Sequence, residues 1–331
     1  MLRVAGGLLL VLGAGSSLAW FFLMQPPLGT ARPAGEQERK ADGFAADRDN
    51  GFDAARAMRY LGEVCKIGPR ISGTEGMKKQ QDLLEKHFKA LKGEVEYQRF
   101  TAKQKSQNQP VALANLIVRW HPERTRRIIL CSHYDTRPIA DQEPDRRKWH
   151  EPFISANDGG AGVALLMELG HRASAIQTPV GIDFVFFDGE EYIFNPGPGG
   201  DLYFFGSEYF AKNYAQTRPK HRYEAAILLD MIGGQNAQFT VEQNSWFKAG
   251  ALVQQFWQVA FREKCTAFQN ALGPEVLDDH LALNKAGIPA IDVIDFSYPH
   301  WHRLTDVPAN CSSESIGQVA RVIIAWLEQI K

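Results

Sequence analysis

Ile128-Ile129-Leu130-Cys131-Ser132-His133-Tyr134-Asp135 is an apolar run that gives out into a histidine and an aspartate. Arg127 to Cys131 is too short for a helix and reads as a buried strand. The same figure recurs downstream. Ile182 to Phe187 is followed by Asp188-Gly189-Glu190-Glu191, and Ala225 to Leu229 by Asp230. Ala112 to Trp120 and Ile288 to Ile294 also read as strands. Helical periodicity fits Asp53 to Cys65, Gly76 to Leu91, Gly162 to Ala173, Leu202 to Tyr214, Trp246 to Lys264 and Ser313 to Ile330. Strands interleaved with helices predict one α/β domain on a mostly parallel central sheet, with ligands beyond the carboxyl ends of the strands.

Composition agrees with a folded body. Of 331 residues, 44% are hydrophobic and 23% charged, enough to bury a core. With 37 Lys+Arg against 38 Asp+Glu the formal charge is −1 and there is no long basic run, which excludes an electrostatic footprint for nucleic acid. Four scattered cysteines, Cys65, Cys131, Cys265 and Cys311, make neither a disulfide framework nor a zinc ribbon. Any metal must therefore use mainly oxygen and imidazole ligands.

The beginning of the chain differs from the rest. After Arg3, Val4 to Met24 carries no charge, which reads residues 1–26 as a signal peptide or membrane anchor. Residues 27–50 turn to Pro, Gly and mixed charge and read as a flexible linker, leaving 51–331 as a single catalytic domain. The expectation is an exported protein, periplasmic or extracellular, touching a membrane only through its N-terminal segment.

The chemistry-bearing clusters are His133-Tyr134-Asp135, Asn157-Asp158-Gly159-Gly160, Glu190-Glu191, Asp230, Asp278-Asp279-His280 and His300-Trp301-His302. A lone Asp after a strand is more often a helix cap than a ligand. Several at neighbouring strand ends, however, converge on one face and repel one another unless a cation sits among them. Zinc accepts carboxylate and imidazole and keeps a position open for substrate in catalytic sites. The adjacent Glu190 and Glu191 suggest that one binds metal while the other moves protons.

In order and spacing these motifs resemble the co-catalytic zinc aminopeptidase superfamily from about Phe52 to the C-terminus. Within it, His133 to Gln142 followed by Ala156-Asn157-Asp158-Gly159, with Phe186 to Glu191, Asp278-Asp279-His280 and Trp301-His302, is similar to animal-type glutaminyl-peptide cyclotransferases and their bacterial relatives. That resemblance implies a three-layer α/β/α sandwich around a mixed sheet. It implies one zinc per chain on Asp158, Glu191 and His302, and an activity that cyclises N-terminal glutamine of peptides or proteins to pyroglutamate with release of ammonia. Glu190 would shuttle the proton, Asp230 and Asp278 would sit beside it sharing a proton, and zinc would polarise the side-chain carbonyl. Trp301 and Tyr298 would wall the pocket, with ordinary core packing the alternative for Tyr298. The sequence departs from the animal pattern at Tyr192 to Gly200, a Gly/Pro-rich loop without tryptophan, and the animal disulfide is not carried over because Cys131 has no partner near Asp158.

Two other readings stand beside this one. A two-zinc aminopeptidase would add His133 and Asp230 as a second metal site, with Asp158 bridging. A non-catalytic binding ectodomain would have lost ligands, and here all are present.

Overall fold

The protein is described by a computed structural model that covers residues 51–331; the expected signal or anchor (1–26) and linker (27–50) lie outside the described residues. Helix α1 (Ala54–Cys65) is capped by Asp53, whose carboxylate accepts the Arg56 N–H at 2.8 Å. Helix α2 (Glu75–Ala90) is capped by Thr74. Then come strands β1 (Glu94–Ala102), β2 (Val111–Trp120) and β3 (Arg126–His133), helix α3 (Gly162–Ala173), strand β4 (Gly181–Phe187), helix α4 (Phe205–Thr217) and strand β5 (Arg222–Asp230). The chain closes with β6 (Phe239–Val241), α5 (Gln243–Arg262), β7 (Phe268–Leu272), α6 (His280–Lys285), β8 (Ala290–Ile294) and α7 (Ser313–Leu327).

Six strands form one mixed sheet in the order β1-β2-β4-β3-β5-β8. The β1/β2 and β2/β4 pairs are antiparallel, whereas β4, β3, β5 and β8 run parallel. Alternation along the strands sorts side chains into two cores. Ile128 and Leu130 of β3, Phe184 and Phe186 of β4, and Ile227 and Leu229 of β5 pack with α1, α2, α3, α5 and α7. Ile129, Cys131, Val185, Phe187, Ala226 and Leu228 face Phe210 of α4 and Leu283 of α6. Each buried Ile, Leu, Val or Phe among them contributes about 1.5–3 kcal/mol. The sandwich therefore has the three layers the resemblance implied. All four cysteines are buried free thiols. Among the described residues no helix is long and apolar enough to cross a membrane.

Elements absent from the sequence reading are β1, the short pair β6 and β7, and the six-residue α6. Helix α4 starts at Phe205 rather than Leu202 because Phe204 is left-handed, with φ 65°, which ends the preceding segment in a turn. Residues 202–204 are released from the helix, and Tyr203 and Phe204 reach the site described next.

Candidate metal and catalytic centre

The parallel strands point the same way, so their carboxyl ends share one edge of the sheet. The chain runs from β3 to its neighbour β4 and then returns to β5 on the other side of β3. The crevice at such a reversal is where α/β sheets bind ligands. His133, the last residue of β3 and 2% exposed, stands in it. Its Nε2 is 3.1 Å from Asp158 Oδ1 and 3.3 Å from Asp230 Oδ1, at the end of β5. Its Nδ1 is 3.7 Å from Glu190 Oε2.

Asp158 sits on the turn before α3. Its own ψ of 103° and the φ of +74° at Gly159 turn the carboxylate toward His133, and a Cβ at Gly159 would stand 2.7 Å from His133 Cε1, so glycine is required there. Asp306 fixes this turn by accepting the Asn157 and Asp158 N–H groups at 2.8 and 3.1 Å. Glu190 and Glu191 follow β4, and their backbone N–H groups donate to the two oxygens of Asp135 at 3.1 and 3.0 Å. The Asp of the His-x-Asp motif thus clamps the paired glutamates. His302 comes from the far end of the chain with a left-handed φ of 53°. Its Nε2 is 2.6 Å from Glu191 Oε1 and 3.6 Å from Asp158 Oδ2, while its Nδ1 lies 2.8 Å from Asp141 Oδ1.

Three overlapping triads result, Asp158–Glu191–His302, His133–Asp158–Asp230 and His133–Glu190–Glu191, each able to present its ligand atoms within 4.8 Å of one another. Asp158 offers one oxygen to each of the first two. Asp158 Oδ2, Glu191 Oε2, Asp230 Oδ1 and both His133 nitrogens are buried without a hydrogen-bond partner. Buried polar atoms are rarely left so, and carboxylates in such number repel. A divalent cation satisfies both, and the oxygen and imidazole donor set suits zinc. The Asp141 carboxylate on His302 Nδ1 is the orienting contact that metal-binding histidines make.

The sequence matches peptidase family M28 over residues 115–327. The chain belongs to peptidase family M28. Among solved structures the M28 chain is similar to the Fimbriiglobus ruber glutaminyl cyclase, at 47% identity and a TM-score of 0.83, covering 91% of this chain and 100% of that one. It is also similar to a Bacteroides thetaiotaomicron glutaminyl cyclase bound to N-acetylhistamine, at 29% identity, TM-score 0.78, covering 85% and 99%. Among curated proteins it is 25% identical over 292 residues to the Bos taurus glutaminyl-peptide cyclotransferase-like protein, covering 78% of this chain and 72% of the relative.

Electrostatics separates the two adjacent glutamates of the M28 site. Burial works to raise the Glu191 carboxyl, but His302 and Arg137 outweigh it and hold it at about 2. For Glu190 the balance reverses: burial first, then the neighbouring Glu191 charge, outweigh the His133 imidazole 3.7 Å away and push it well above the ordinary carboxylate range. One stays anionic as a ligand, and the other can carry a proton. Asp158 is raised to about 6, by burial and then by Glu191. Asp278 is also pushed well up, by burial and by Asp230 and Asp279. Sequence reasoning missed that Asp292 of β8, fully buried with neither oxygen bonded, joins this acidic group.

Asp158, Glu190, Glu191, Asp230, Asp278 and His302 floor a cavity of about 390 Å³, walled by Tyr203, Phe204, Val276, Leu277, Phe296 and Trp301. Trp301 lies against His302 with ring centroids 4.1 Å apart and against Phe296 at 5.0 Å. Tyr298, expected as a second wall residue, does not line the cavity. It packs behind it with Met231, Val276 and Ile294, and its hydroxyl donates to Asp306 at 2.8 Å, because the polar tip of a buried tyrosine needs a partner. Arg137 and Asp141 were also missed as site residues. Arg137, 1% exposed, spans Glu191 Oε1 (3.1 Å), Asp141 and Tyr203. Their signal was a charged pair four residues apart inside a stretch otherwise without a reason to bury charge.

Proposed function

We infer that this M28 protein is a glutaminyl cyclase that converts an N-terminal glutamine to pyroglutamate and releases ammonia. The observation that carries the reading is the likeness, across 91% of this chain, to the F. ruber glutaminyl cyclase. The geometry supports it with Glu190 outside the Asp158–Glu191–His302 set and lining the same cavity of about 390 Å³.

Asp158, Glu191 and His302 would hold one zinc. When bound, that ion supplies a Lewis acid for the carbonyl oxygen of the substrate side-chain amide. The chain's own groups do the rest. Asp230 and Asp278 hold the α-amine near Glu190. Glu190 takes a proton from the amine as its nitrogen attacks the side-chain amide carbon. The new C–N bond closes the lactam, the old C–NH₂ bond breaks, and Glu190 returns the proton to the departing nitrogen as ammonia. The apolar wall excludes water, which would hydrolyse the amide instead.

A second reading, the two-zinc aminopeptidase, is favoured by one feature: Asp158 Oδ1 and Asp230 Oδ1 both face His133. Incubation with a Gln-initiated and a Leu-initiated peptide, with zinc counted per chain, separates them. Ammonia with one zinc supports the cyclase; free leucine with two zincs overturns it. Glu190→Gln should abolish turnover with zinc retained, whereas a binding ectodomain would lose nothing. The apolar Val4 to Met24 run supports export, with peptide or protein N-termini outside the cytoplasmic membrane as substrates; finding the enzyme wholly in the cytoplasm would remove that part.

A further inference from the structure

After Glu191 the chain leaves the site on the Gly/Pro-rich excursion 192–202 and comes back at Tyr203. One buried amide fixes both ends of this arch. Gln104, 0% exposed, donates from Nε2 to the carbonyls of Tyr192 and Leu202, each at 2.8 Å, and accepts the Leu202 N–H at 2.7 Å. Asp201 closes the arch on itself, accepting the Phe194 and Asn195 N–H groups at 2.9 and 3.0 Å. It also accepts the backbone and hydroxyl of Ser106 at 2.9 and 2.7 Å. Rigid delivery on this scale points at the residue delivered, which is the next one.

Tyr203 lines the catalytic cavity. Its hydroxyl accepts a hydrogen bond from Arg137 Nη2 at 2.9 Å, and Nη1 of that guanidinium is 3.1 Å from Glu191 Oε1. The phenol therefore stands one guanidinium away from a metal-ligating carboxylate. A tyrosine hydroxyl has one proton to give and lone pairs to accept with. Having accepted from Arg137, it still holds its own proton, and no described residue takes that proton. The cationic donor behind it polarises the O–H and makes it a stronger donor. A polarised O–H on a half-buried ring of the cavity wall, one guanidinium from a ligand and without an acceptor among the described residues, is complementary to negative charge developing on a substrate oxygen.

Building on the cyclase reading, we propose that Tyr203 is a catalytic residue that donates a hydrogen bond from its hydroxyl to the oxygen of the attacked side-chain amide. Its proton stays on the phenol throughout, so the balance of the cyclisation is unchanged. Gln104 and Asp201 are positioning residues that hold the arch, and Arg137 orients and polarises the donor. The aromatic contribution that the loop's lack of tryptophan left unassigned is thereby supplied three residues beyond Gly200.

Tyr203→Phe keeps the ring and removes only the O–H. Because the bond strengthens as charge develops, kcat and kcat/KM should fall together, on the order of 10²-fold, with KM within twofold of wild type. Zinc content and Tm should match wild type, which separates this from a structural role. Unchanged kcat overturns the proposal, and so does a rise in KM alone, which would make Tyr203 a wall residue only. Gln104→Met, which keeps side-chain length and loses every hydrogen bond of the amide, should lower kcat in the same direction; full activity there would mean that Tyr203 is not held by the arch. Wild type is assayed in parallel on the Gln and Leu peptides. If it frees leucine instead of ammonia, the cyclase reading fails, and Tyr203→Phe is judged by the same kcat criterion on the Leu peptide, so the two failures stay distinct.

Discussion

Three aspartates that bind nothing themselves decide where the ligands point. Asp135 takes the backbone of Glu190 and Glu191, Asp306 takes the backbone of Asn157 and Asp158, and Asp141 stands against the imidazole of His302. Asp141 acts directly on a side chain of the single-zinc set, so its loss should be read first in the metal; Asp135 Oδ1 lies 3.8 Å from Nδ1 of His133, which belongs to the other triads. Without Asp141, His302 Nδ1 loses its anionic partner, the ring is free to rotate, and its Nε2 becomes a weaker donor. Asp141→Ala should therefore lower zinc affinity about 10–100-fold, measured by competition with a chelator of known strength. Turnover should largely recover in excess zinc, because Glu190 itself is untouched; any shortfall reports the loss of Asp141's contacts with Arg137, which holds Tyr203. Failure to recover would mean that Asp141 acts on the chemistry and not on the metal. Burial lowers the His302 imidazole, but Glu191 and Asp141 outweigh it and raise it to about 9, so removing Asp141 also removes part of what holds a proton there when no metal does.

At the scale of elements, α5 depends on its N-cap. Glu242 accepts the N–H groups of Asn244 and Ser245 at 2.7 and 2.5 Å and that of Val276 at 2.9 Å, with His280 Nε2 3.3 Å away. Burial opposes its ionisation, but His280 and these N–H groups outweigh that and hold the carboxyl at about 2. A folded value below the unfolded one means stability that is present above about pH 4.3 and is lost as pH falls through 2. Glu242→Gln should therefore cost roughly 1–3 kcal/mol in urea unfolding at pH 7. The gap to wild type should close toward pH 2, and a gap independent of pH would assign the cost to packing instead. Residues 127–131, 182–187 and 225–229 were readable as strands because both their faces are buried and the runs are apolar, interrupted only by Arg127 and Asp183, which pair with each other across the sheet. Strand β1 was not, since it sits at the sheet edge with a half-exposed, mixed pattern from Glu94 to Ala102. Helix α6 has only six residues, too few to establish a 3.6-residue period.

In the molecule as a whole, β3, β4, β5, the turn before α3 and the segment before α7 meet at one acidic point. The convergence was legible because His133, Glu190, Glu191 and Asp230 end or follow strands whose carboxyl ends share an edge, while Asp158 comes on the turn into α3 that follows β3. The supports were not, because Asp306 bonds a turn 148 residues earlier and Asp135 a pair 55 residues later, and no local pattern marks such partners. A site assembled from distant segments against mutual repulsion makes the bound cation a tether for the fold as well as a cofactor. Binding to the native state alone stabilises by RT ln(1 + [L]/Kd), about 4 kcal/mol at 1,000 times Kd. Stripping the metal should then lower Tm by several degrees, and readdition of zinc should restore it. The effect has a definite sign with pH. The cation competes with protons for Asp158, at about 6, and for His302, at about 9, so its contribution shrinks as pH falls from 8 to 5. Differential scanning calorimetry of the zinc-loaded and stripped protein across that range should show the two Tm curves converging at the acid end. Parallel curves would mean that the ion binds away from these ligands.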